Sequence, residues 1–374
     1  MKLKIITVFG TRPEAIKMIP LIKEMEHIDS IENIVCVTGQ HRQMLDQVLN
    51  LFEIKPDYDL DIMRPNQTLA GITTKTLQGL ESVFEQENPD LVLVHGDTTT
   101  SFAAALSAFY NKIKVGHVEA GLRTYEKFEP FPEEINRKMT AVLADIHFAP
   151  TETSKQNLLK ENIPEESIFV TGNTAIDMLK YTLKENYVFC EPLLNNIDFS
   201  NKRIITLTAH RRENLGEPLK NICLSIKKLV EKFNDVEVIY SVHYNPEVRK
   251  TVDNILKDNK RVHLIDPLDI NDMHNLMKRS YLVMTDSGGL QEEVPSMDKP
   301  VLVLRNVTER PEGLDAGTLK LAGVKCESIF DSAQDLLINT ELYASMAKAT
   351  NPFGDGFASS KIIKAILQHF DKRA

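Results

Sequence analysis

One feature restricts the fold of this chain more than any other. Short, nearly continuous apolar runs alternate with amphipathic helical segments. Such runs are typical of parallel strands covered on both faces, whereas strands with one wet face alternate apolar and polar residues. The segments between them place apolar residues at helical spacing, as at Leu219, Ile222 and Ile226. The alternation predicts an α/β fold with right-handed crossovers. The predicted strands are residues 5–9, 34–37, 91–94, 114–118, 146–149 and 168–170, and then 204–207, 236–240, 262–265, 282–284 and 301–304.

Two domains are expected, because 374 residues exceed the usual length of one domain and the predicted strands fall into two sets. Residues 187–201 lack periodicity and are rich in Asn, Asp and Pro, which is typical of a boundary. We predict two Rossmann-like domains, residues 1–185 and 186–357, with parallel sheets facing a central cleft. The last segment, from residue 358, has the apolar spacing of a helix.

The charge balance excludes several classes of partner. Asp and Glu outnumber Lys and Arg 53 to 44, and basic residues occur only in short clusters, so we expect neither a nucleic-acid partner nor an anionic membrane surface. No apolar run approaches the roughly 18 residues of a membrane span, and the N-terminus lacks the apolar core of a signal peptide. The four cysteines are too scattered for a disulfide framework, and no HExxH zinc motif occurs. We expect a cytoplasmic protein without a metal or other cofactor.

Polar residues that follow the predicted strands are the candidate site residues, because ligands of open α/β sheets bind beyond the carboxyl ends of the strands. So many strand ends carry ionisable groups that an active cleft is favoured over chance. The first strand is not followed by GxGxxG, which argues against a dinucleotide cofactor. The ionisable groups at these ends include Arg12, Lys17, Asp97, Glu119, His210, His243 and Asp286.

The turn Ser287-Gly288-Gly289 is a candidate phosphate site, because glycines let backbone N–H groups approach a phosphate at the start of a helix. A plain strand–helix turn with Ser287 as N-cap is an equal alternative. Glu293, about one helical turn further on, could accept the hydroxyls of a ribose. Arg310 is a second phosphate candidate, with a solvated loop arginine as its alternative.

Three carboxylates are candidates for proton transfer. Asp97 and Glu119 follow neighbouring strands, so each could influence the ionisation of the other. Asp97 could equally cap the next helix, and Glu133 could simply complement the dipole of a helix start. His210 precedes two arginines, which favours anion binding over a purely structural role. These residues predict an enzyme acting on a nucleotide-linked substrate and leave the reaction open.

Eight motifs occur in one order along nearly the whole chain. They are GTRPEAIKM (10–18), VHGDTTT (94–100), GHVEAGLRT (116–124), PFPEEINR (130–137), FVTGNTAID (169–177), LTAHRRENLGEP (207–218), MTDSGGLQEE (284–293) and VLVLRNVTERPEG (301–313). In these motifs the chain resembles the non-hydrolysing bacterial UDP-N-acetylglucosamine 2-epimerases.

The resemblance implies a glycosyltransferase-B-like fold whose final helix, residues 358–374, crosses back to the first domain. It implies reversible epimerisation of UDP-N-acetylglucosamine (UDP-GlcNAc) to UDP-N-acetylmannosamine (UDP-ManNAc). In the family, UDP is eliminated to leave a 2-acetamidoglucal and then re-adds. It also implies a homodimer, activation by a second UDP-GlcNAc, and supply of ManNAc for cell-surface polysaccharide.

Matching positions carry the family's functional residues onto this chain. The residues implied to be catalytic are Asp97, Glu119, Glu133, His210 and Lys17. Those implied to bind substrate are Arg12, Leu268, Met273, Ser287, Gly288, Gly289, Glu293 and Arg310. Those implied to bind the activator are Gln40, Gln43, Gln67, Arg211 and His243.

Three other functions are weighed against this one. A glycosyltransferase of the same fold would need an acceptor groove and usually a single strong base, whereas this chain offers three acids and a lysine. A hydrolysing epimerase would release free ManNAc and UDP. A nucleotide-sugar sensor would bind without turnover.

Overall fold

The computed structural model describes residues 2–40 and 42–371, and it divides into two compact units. The first unit contains the described residues up to Met178 and those from Phe353 onward. The second unit is Leu179–Pro352. Each unit is built around its own parallel sheet.

The first unit has a seven-stranded sheet in the order β3-β2-β1-β4-β5-β6-β7. Its strands are β1 Leu3–Phe9, β2 Ile31–Val37, β3 Tyr58–Asp59, β4 Leu91–His95, β5 Lys114–Val118, β6 Ile146–Ala149 and β7 Ile168–Val170. Its helices are α1 Arg12–Met25, α2 Arg42–Leu51, α3 Leu69–Glu87, α4 Thr99–Tyr110, α5 Glu133–Leu143, α6 Glu152–Lys160, α7 Thr174–Asp177 and α16 Ala358–Asp371.

The second unit has a six-stranded sheet in the order β10-β9-β8-β11-β12-β13. Its strands are β8 Arg203–Thr208, β9 Val236–Ser241, β10 Val262–Ile265, β11 Leu282–Thr285, β12 Val301–Val303 and β13 Leu319–Leu321. Its helices are α8 Leu179–Thr182, α9 Glu217–Lys232, α10 Pro246–Leu256, α11 Ile270–Arg279, α12 Gly288–Glu293, α13 Pro311–Asp315, α14 Cys326–Ile338 and α15 Thr340–Lys348.

The predicted α/β fold with two Rossmann-like sheets is confirmed. Every predicted apolar run forms a strand, and every strand pairing within the two sheets is parallel. The central strands are largely apolar because both faces are covered; all five residues of β4 are buried, for example. Strands β3 and β13 escaped prediction because they have two and three residues, and Lys320 interrupts the apolar character of the second.

The strand order places a topological switch point in each sheet. In the first unit β1 lies between β2 and β4, and in the second unit β8 lies between β9 and β11. Chains leaving such neighbouring strands turn to opposite faces of the sheet, which opens a crevice at their carboxyl ends. The candidate residues after β1, β4, β8 and β11 therefore lie where ligands of this fold class bind.

The last helix, α16, belongs to the first unit. Backbone N–H groups of Ala358 and Ser359 donate to the carboxylate of Asp177 at 3.0 and 2.8 Å, and the Ser360 hydroxyl donates to Glu24 at 3.2 Å. Residues 372–374, which the sequence assigns to the same helix, lie outside the described residues.

Residues 187–201, where the sequence places the domain boundary, pack within the second unit. Phe189 and Leu194 are buried there, and the Arg279 guanidinium lies 4.8 Å from the ring centre of Phe189. Aromatic side chains hold this stretch in place, and it forms neither a long helix nor a strand. Its sequence therefore lacks periodicity and resembles that of a linker. Among the described residues, none of the helices combines the length and apolar character needed to cross a bilayer.

Candidate active site

Glu14 ties together the loops that follow β1 and β4. Its carboxylate is 2% exposed and accepts hydrogen bonds from Gly10 N at 3.0 Å and Thr11 N at 2.8 Å. It also accepts from the hydroxyls of Thr98 at 2.6 Å and Ser101 at 2.9 Å. The chain segments that carry Arg12 and Asp97 are thus fixed by one buried carboxylate. The sequence analysis did not single out Glu14, although Thr11-x-x-Glu14 has the spacing of a capping box.

Gly10 must be glycine for a steric reason. A Cβ at this position would lie 2.1 Å from the Thr38 hydroxyl oxygen and 2.6 Å from that of Thr100. The absent side chain lets the loop after β1 lie directly against these two residues. Arg12 follows as the first residue of α1, half-buried, and its side chain makes no hydrogen bond or ion pair within residues 2–40 and 42–371.

Glu119 is the most elaborately held of the three candidate acids. It follows β5 with a φ of 62°, a left-handed conformation that is uncommon for residues with a side chain. Its carboxylate forms an ion pair with Lys17, accepts a hydrogen bond from Asn173 Nδ2 at 2.9 Å, and lies 3.7 Å from His95 Nε2. Burial raises the pKa of Glu119, but the charge of Lys17 and the interaction with His95 outweigh it and hold this pKa well below its usual range. Glu119 is therefore an ionised carboxylate at neutral pH.

Asp97 lies beside the same strand end. His95 and Val118, the last residues of β4 and β5, are in register, and a Cβ on Gly96 would lie 3.7 Å from Oε1 of Glu119. The Asp97 side chain forms an ion pair with Arg137, and its backbone carbonyl accepts from Asn136 Nδ2 at 3.0 Å.

The alternative role of Asp97 as a helix cap does not hold. The N-cap of α4 is Thr98, whose hydroxyl accepts a hydrogen bond from Ser101 N at 3.0 Å. The carboxylate of Asp97 is left to pair with Arg137, a residue that sequence reasoning had not selected.

His117 is hydrogen-bonded to the residue before Asp97. Its Nε2 is 2.7 Å from the Gly96 carbonyl oxygen, and burial lowers the pKa of His117 to about 3. The imidazole is therefore neutral, and because a carbonyl oxygen only accepts, Nε2 carries the proton. Gly96 has a φ of 64°, so this hydrogen bond holds a peptide in a conformation suited to glycine.

Glu133 is the first residue of α5 and is half-buried. Its carboxylate has no hydrogen bond or ion pair in the part of the chain that the structure describes. The next residue, Glu134, is fully buried and accepts from Thr124 N at 3.0 Å and Tyr125 N at 3.1 Å. Of two adjacent acids, one holds a loop and the other is available for chemistry.

In the second unit, Asp286 organises the loop after β8. Its Oδ2 accepts from His210 N and Arg211 N, each at 2.8 Å, and from Asn214 Nδ2 at 2.9 Å. The His210 ring stacks on His243 with ring centres 5.5 Å apart. His210, Arg211 and His243 are therefore brought together at the ends of β8 and β9.

Gly288 lies within a group of charged side chains. A Cβ built on it would be 3.5 Å from Nη2 of Arg211, 3.8 Å from Nη2 of Arg310 and 3.3 Å from Oε1 of Glu309. Burial raises the pKa of Glu309, but a backbone hydrogen bond and the charges of Arg211 and Arg305 outweigh it, leaving the pKa below its usual value. The two guanidinium groups make this turn suited to an anion such as a phosphate.

Arg310 is not a solvated loop residue. Its Nε pairs with the carboxylate of Glu292, which is buried in α12. Ser287 occupies the N-cap position of α12, but its side chain makes no capping hydrogen bond. Gly289 follows in the first turn, where a Cβ would lie 3.8 Å from Oε1 of Glu293.

Glu293 is held by a histidine that the sequence did not single out. His274 Nε2 lies 3.2 Å from Oε2 of Glu293, and His274 Nδ1 lies 2.7 Å from the Thr182 hydroxyl. Leu268 lies in the loop after β10, and Met273 lies in α11 next to His274 in sequence. Both side chains are half-buried.

Two of the residues assigned to an activator lie in contact. Gln67 Nε2 donates to the Gln40 carbonyl oxygen at 3.0 Å, and the Thr100 hydroxyl donates to Gln40 Oε1 at 2.8 Å. Gln43 is exposed on α2 and makes no such bond to described residues. Arg211 and His243, assigned to the same ligand, lie in the second unit as described above.

One group of side chains in the described residues has the spacing of metal ligands, namely Cys190, Asp269 and Asp272. Asp272 already accepts from the Tyr187 hydroxyl at 2.7 Å and from Cys190 N and Glu191 N at 2.9 and 2.8 Å. Asp272 is therefore buried because it anchors the loop that contains Tyr187, Cys190 and Glu191.

Comparison with known proteins extends over the full length. A family model described as UDP-N-acetylglucosamine 2-epimerase matches residues 23–367. The chain is 56% identical over 372 residues to the UDP-N-acetylglucosamine 2-epimerase of Bacillus subtilis strain 168, covering 100% of this chain and 97% of that one.

Solved structures are similar over the same length. The UDP-GlcNAc 2-epimerase from Neisseria meningitidis bound to UDP-GlcNAc matches with a TM-score of 0.88 and 51% identity, covering 98% of this chain and 100% of that one. The Methanocaldococcus jannaschii enzyme in complex with UDP-GlcNAc and UDP matches with a TM-score of 0.78 and 36% identity, covering 98% and 99%.

Proposed function

The chain belongs to the UDP-N-acetylglucosamine 2-epimerase family, and we propose from this membership that it converts UDP-GlcNAc reversibly into UDP-ManNAc. The observation that carries the proposal is the ionised Glu119 carboxylate, paired with Lys17 at a strand end beside the Asp97 loop. An ionised carboxylate is free to accept a proton, which is the first requirement for a general base.

The reaction that we propose is an elimination followed by a re-addition. A carboxylate takes the C2 proton, the C–H electron pair forms the C1–C2 double bond, and the C1–O electrons leave with UDP. The intermediate is a 2-acetamidoglucal. In the second half, a UDP phosphate oxygen bonds to C1 while a carboxylic acid delivers a proton to the opposite face of C2.

Stabilising the leaving group is the larger task in this chemistry. The C2 proton is not adjacent to a carbonyl group, so it becomes acidic only as the C1–O bond breaks. Fixed cations aimed at the departing phosphate lower that barrier. The Gly288 turn with Arg211 and Arg310, together with His210, supports this role in the second unit.

The remaining residues take the roles that their placement supports. Asp97, Glu119 and Glu133 exchange the C2 proton, and Lys17 keeps Glu119 ionised. Glu293, fixed by His274, accepts the ribose hydroxyls. The family resemblance supports contacts from Leu268 and Met273 to the uracil. Arg12, whose side chain pairs with none of the described residues, offers a cation for the substrate.

The deciding experiment is proton NMR of the protein with UDP-GlcNAc in D2O, with neither metal nor NAD added. We expect UDP-ManNAc carrying deuterium at C2, because the proton is lost to a carboxylate that exchanges with solvent. The Asp97→Asn variant should form it more slowly by on the order of 100-fold while still binding UDP. Free ManNAc with UDP would instead indicate the hydrolysing reaction, and an unchanged C2 proton would refute epimerisation.

We also propose that a second UDP-GlcNAc activates the enzyme at a site that includes Gln40 and Gln67. Their direct hydrogen bond, and the bond from Thr100 on α4, connect this site to the helix that follows the Asp97 loop. Initial rates should rise sigmoidally with UDP-GlcNAc, and a hyperbolic dependence would contradict activation.

The wider role rests on the family alone. We propose a cytoplasmic homodimer that supplies ManNAc units for cell-surface polysaccharide. Deletion of the gene should remove ManNAc from the cell surface, and an unchanged sugar composition would contradict this role.

A further inference from the structure

Asp286 is a fully buried carboxylate whose two oxygens have different surroundings. Oδ2 accepts three hydrogen bonds, from the backbone of His210 and Arg211 and from the side chain of Asn214. Oδ1 has no hydrogen-bond partner among the residues that the structure describes. A buried carboxylate oxygen without a donor is costly, so such an atom calls for an explanation.

The group that faces Oδ1 is the imidazole of His210. Its Nδ1 lies 3.4 Å from Oδ1, and its side chain is 42% exposed. The same carboxylate thus holds the backbone of His210 through one oxygen and faces its ring through the other. Hydrogen bonds of catalytic groups are often long before substrate is bound and shorten in the complex.

We propose that Asp286 is a positioning residue for His210. It keeps the Nδ1 proton of the ring on the carboxylate side, so that Nε2 points outward. It also stabilises the imidazolium, whose Nε2–H donates to the phosphate as UDP departs. The inference rests on the proposed function for its catalytic meaning, whereas the ring tautomer is a property of the free protein.

Among the groups around His210, Asp286 is the acid that lies against its ring. The His243 ring from the end of β9 stacks on that ring, and Arg211 follows His210 in the chain. Neither neighbour offers the ring a carboxylate, whereas Oδ1 of Asp286 lies 3.4 Å from Nδ1 of His210. A buried acid that orients a histidine in this way fixes both its tautomer and its charge.

The test is the Asp286→Asn variant, which is close to isosteric. Its amide oxygen can still accept the three hydrogen bonds, while its Nδ2 donates toward Nδ1 of His210 and favours the opposite tautomer. We would record 15N NMR spectra of histidine-labelled protein and identify the His210 signals by their loss in His210→Asn. Neutral His210 should carry its proton on Nδ1 in the wild type and on Nε2 in Asp286→Asn.

The kinetic consequence separates positioning from simple loss of structure. In Asp286→Asn, kcat should fall on the order of 100-fold with a much smaller change in KM for UDP-GlcNAc. The neutral ring of this variant still offers Nε2–H to the phosphate but without a positive charge, so kcat should decline less on the alkaline side than it does in the wild type. A fall in kcat with the same pH profile would contradict the proposal.

Asp272→Asn is the matched control, because Asp272 is also buried and also accepts three hydrogen bonds, none of them from a histidine. It should leave the His210 tautomer unchanged. A wild-type His210 that carries its neutral proton on Nε2 overturns the inference without any variant, even if Asp286→Asn fails to fold. An inactive wild type with the expected tautomer would instead refute the proposed function alone.

Discussion

Two opposing effects act on the carboxyl group of Glu119. Burial raises its pKa, while Lys17 and His95 lower it, and the lowering effects prevail. A folded-state pKa below the unfolded value stabilises the native protein above the unfolded pKa, and this contribution is lost as the pH falls through the folded pKa. Lys17, in the second turn of α1, is the first of the groups that keep Glu119 ionised.

Lys17→Met should move the acidic limb of the kcat/KM profile to higher pH, because burial then acts on Glu119 without the charge of Lys17 to oppose it. Activity at neutral pH should fall by roughly 100-fold and recover in part at alkaline pH. Lys23→Met is the control, since Lys23 lies on the same helix and makes only a surface pair of 3.7 Å with Glu26. An acidic limb at the wild-type pH would contradict this account of Glu119.

At the scale of elements, buried carboxylates join the ends of strands and helices. Glu14 connects the start of α1 to the start of α4, and Glu134 connects α5 to the loop after β5. Oε2 of Glu14 faces the backbone N–H groups of Gly10 and Thr11, which can only donate, so an accepting atom is required at that position.

Glu14→Gln should lower the free energy of unfolding by about 2 kcal/mol, because a neutral amide accepts weaker hydrogen bonds from Gly10 N and Thr11 N than a carboxylate does. Urea unfolding followed by circular dichroism measures this loss. Glu26→Gln, at the exposed end of α1, should cost less than about 0.5 kcal/mol. Equal stability of the two variants would refute the role of Glu14.

Some of these features could be predicted from the sequence and others could not. Continuous apolar runs predicted the strands, and strand order then placed Asp97 and Glu119 side by side. Side-chain pairs such as Arg137 with Asp97, or His274 with Glu293, join residues that are distant or offset in sequence. No periodicity marks such pairs, so Arg137 and His274 were missed. Glu14 had a local capping signal and could have been found.

At the scale of the whole molecule, the outer face of α4 and α5 is unusually apolar. Phe109, Tyr110 and Val142 are 58%, 67% and 79% exposed, beside a groove of about 390 Å³ that Met139 and Leu143 also line. Exposed apolar patches of this kind mark protein interfaces, and the dimer proposed above would cover this one with a second copy.

Val142→Glu should convert the dimer to a monomer in sedimentation equilibrium, because each copy of a two-fold interface would bury the new charge. Val188→Glu is the matched control, since Val188 is 76% exposed and belongs to the second unit. A wild-type protein that sediments as a monomer, or a Val142→Glu protein that remains dimeric, would contradict this interface.

The return of α16 to the first unit has a consequence for biosynthesis. The second unit is continuous in sequence, so all of its residues have been synthesised before translation reaches Phe353. The first unit starts earlier but acquires the helix that binds Asp177 and Glu24 only when the last residues emerge. The first unit therefore depends on a segment that is synthesised after the whole of the second unit, and a shortened protein that ends at residue 352 should contain a complete second unit and a first unit without α16.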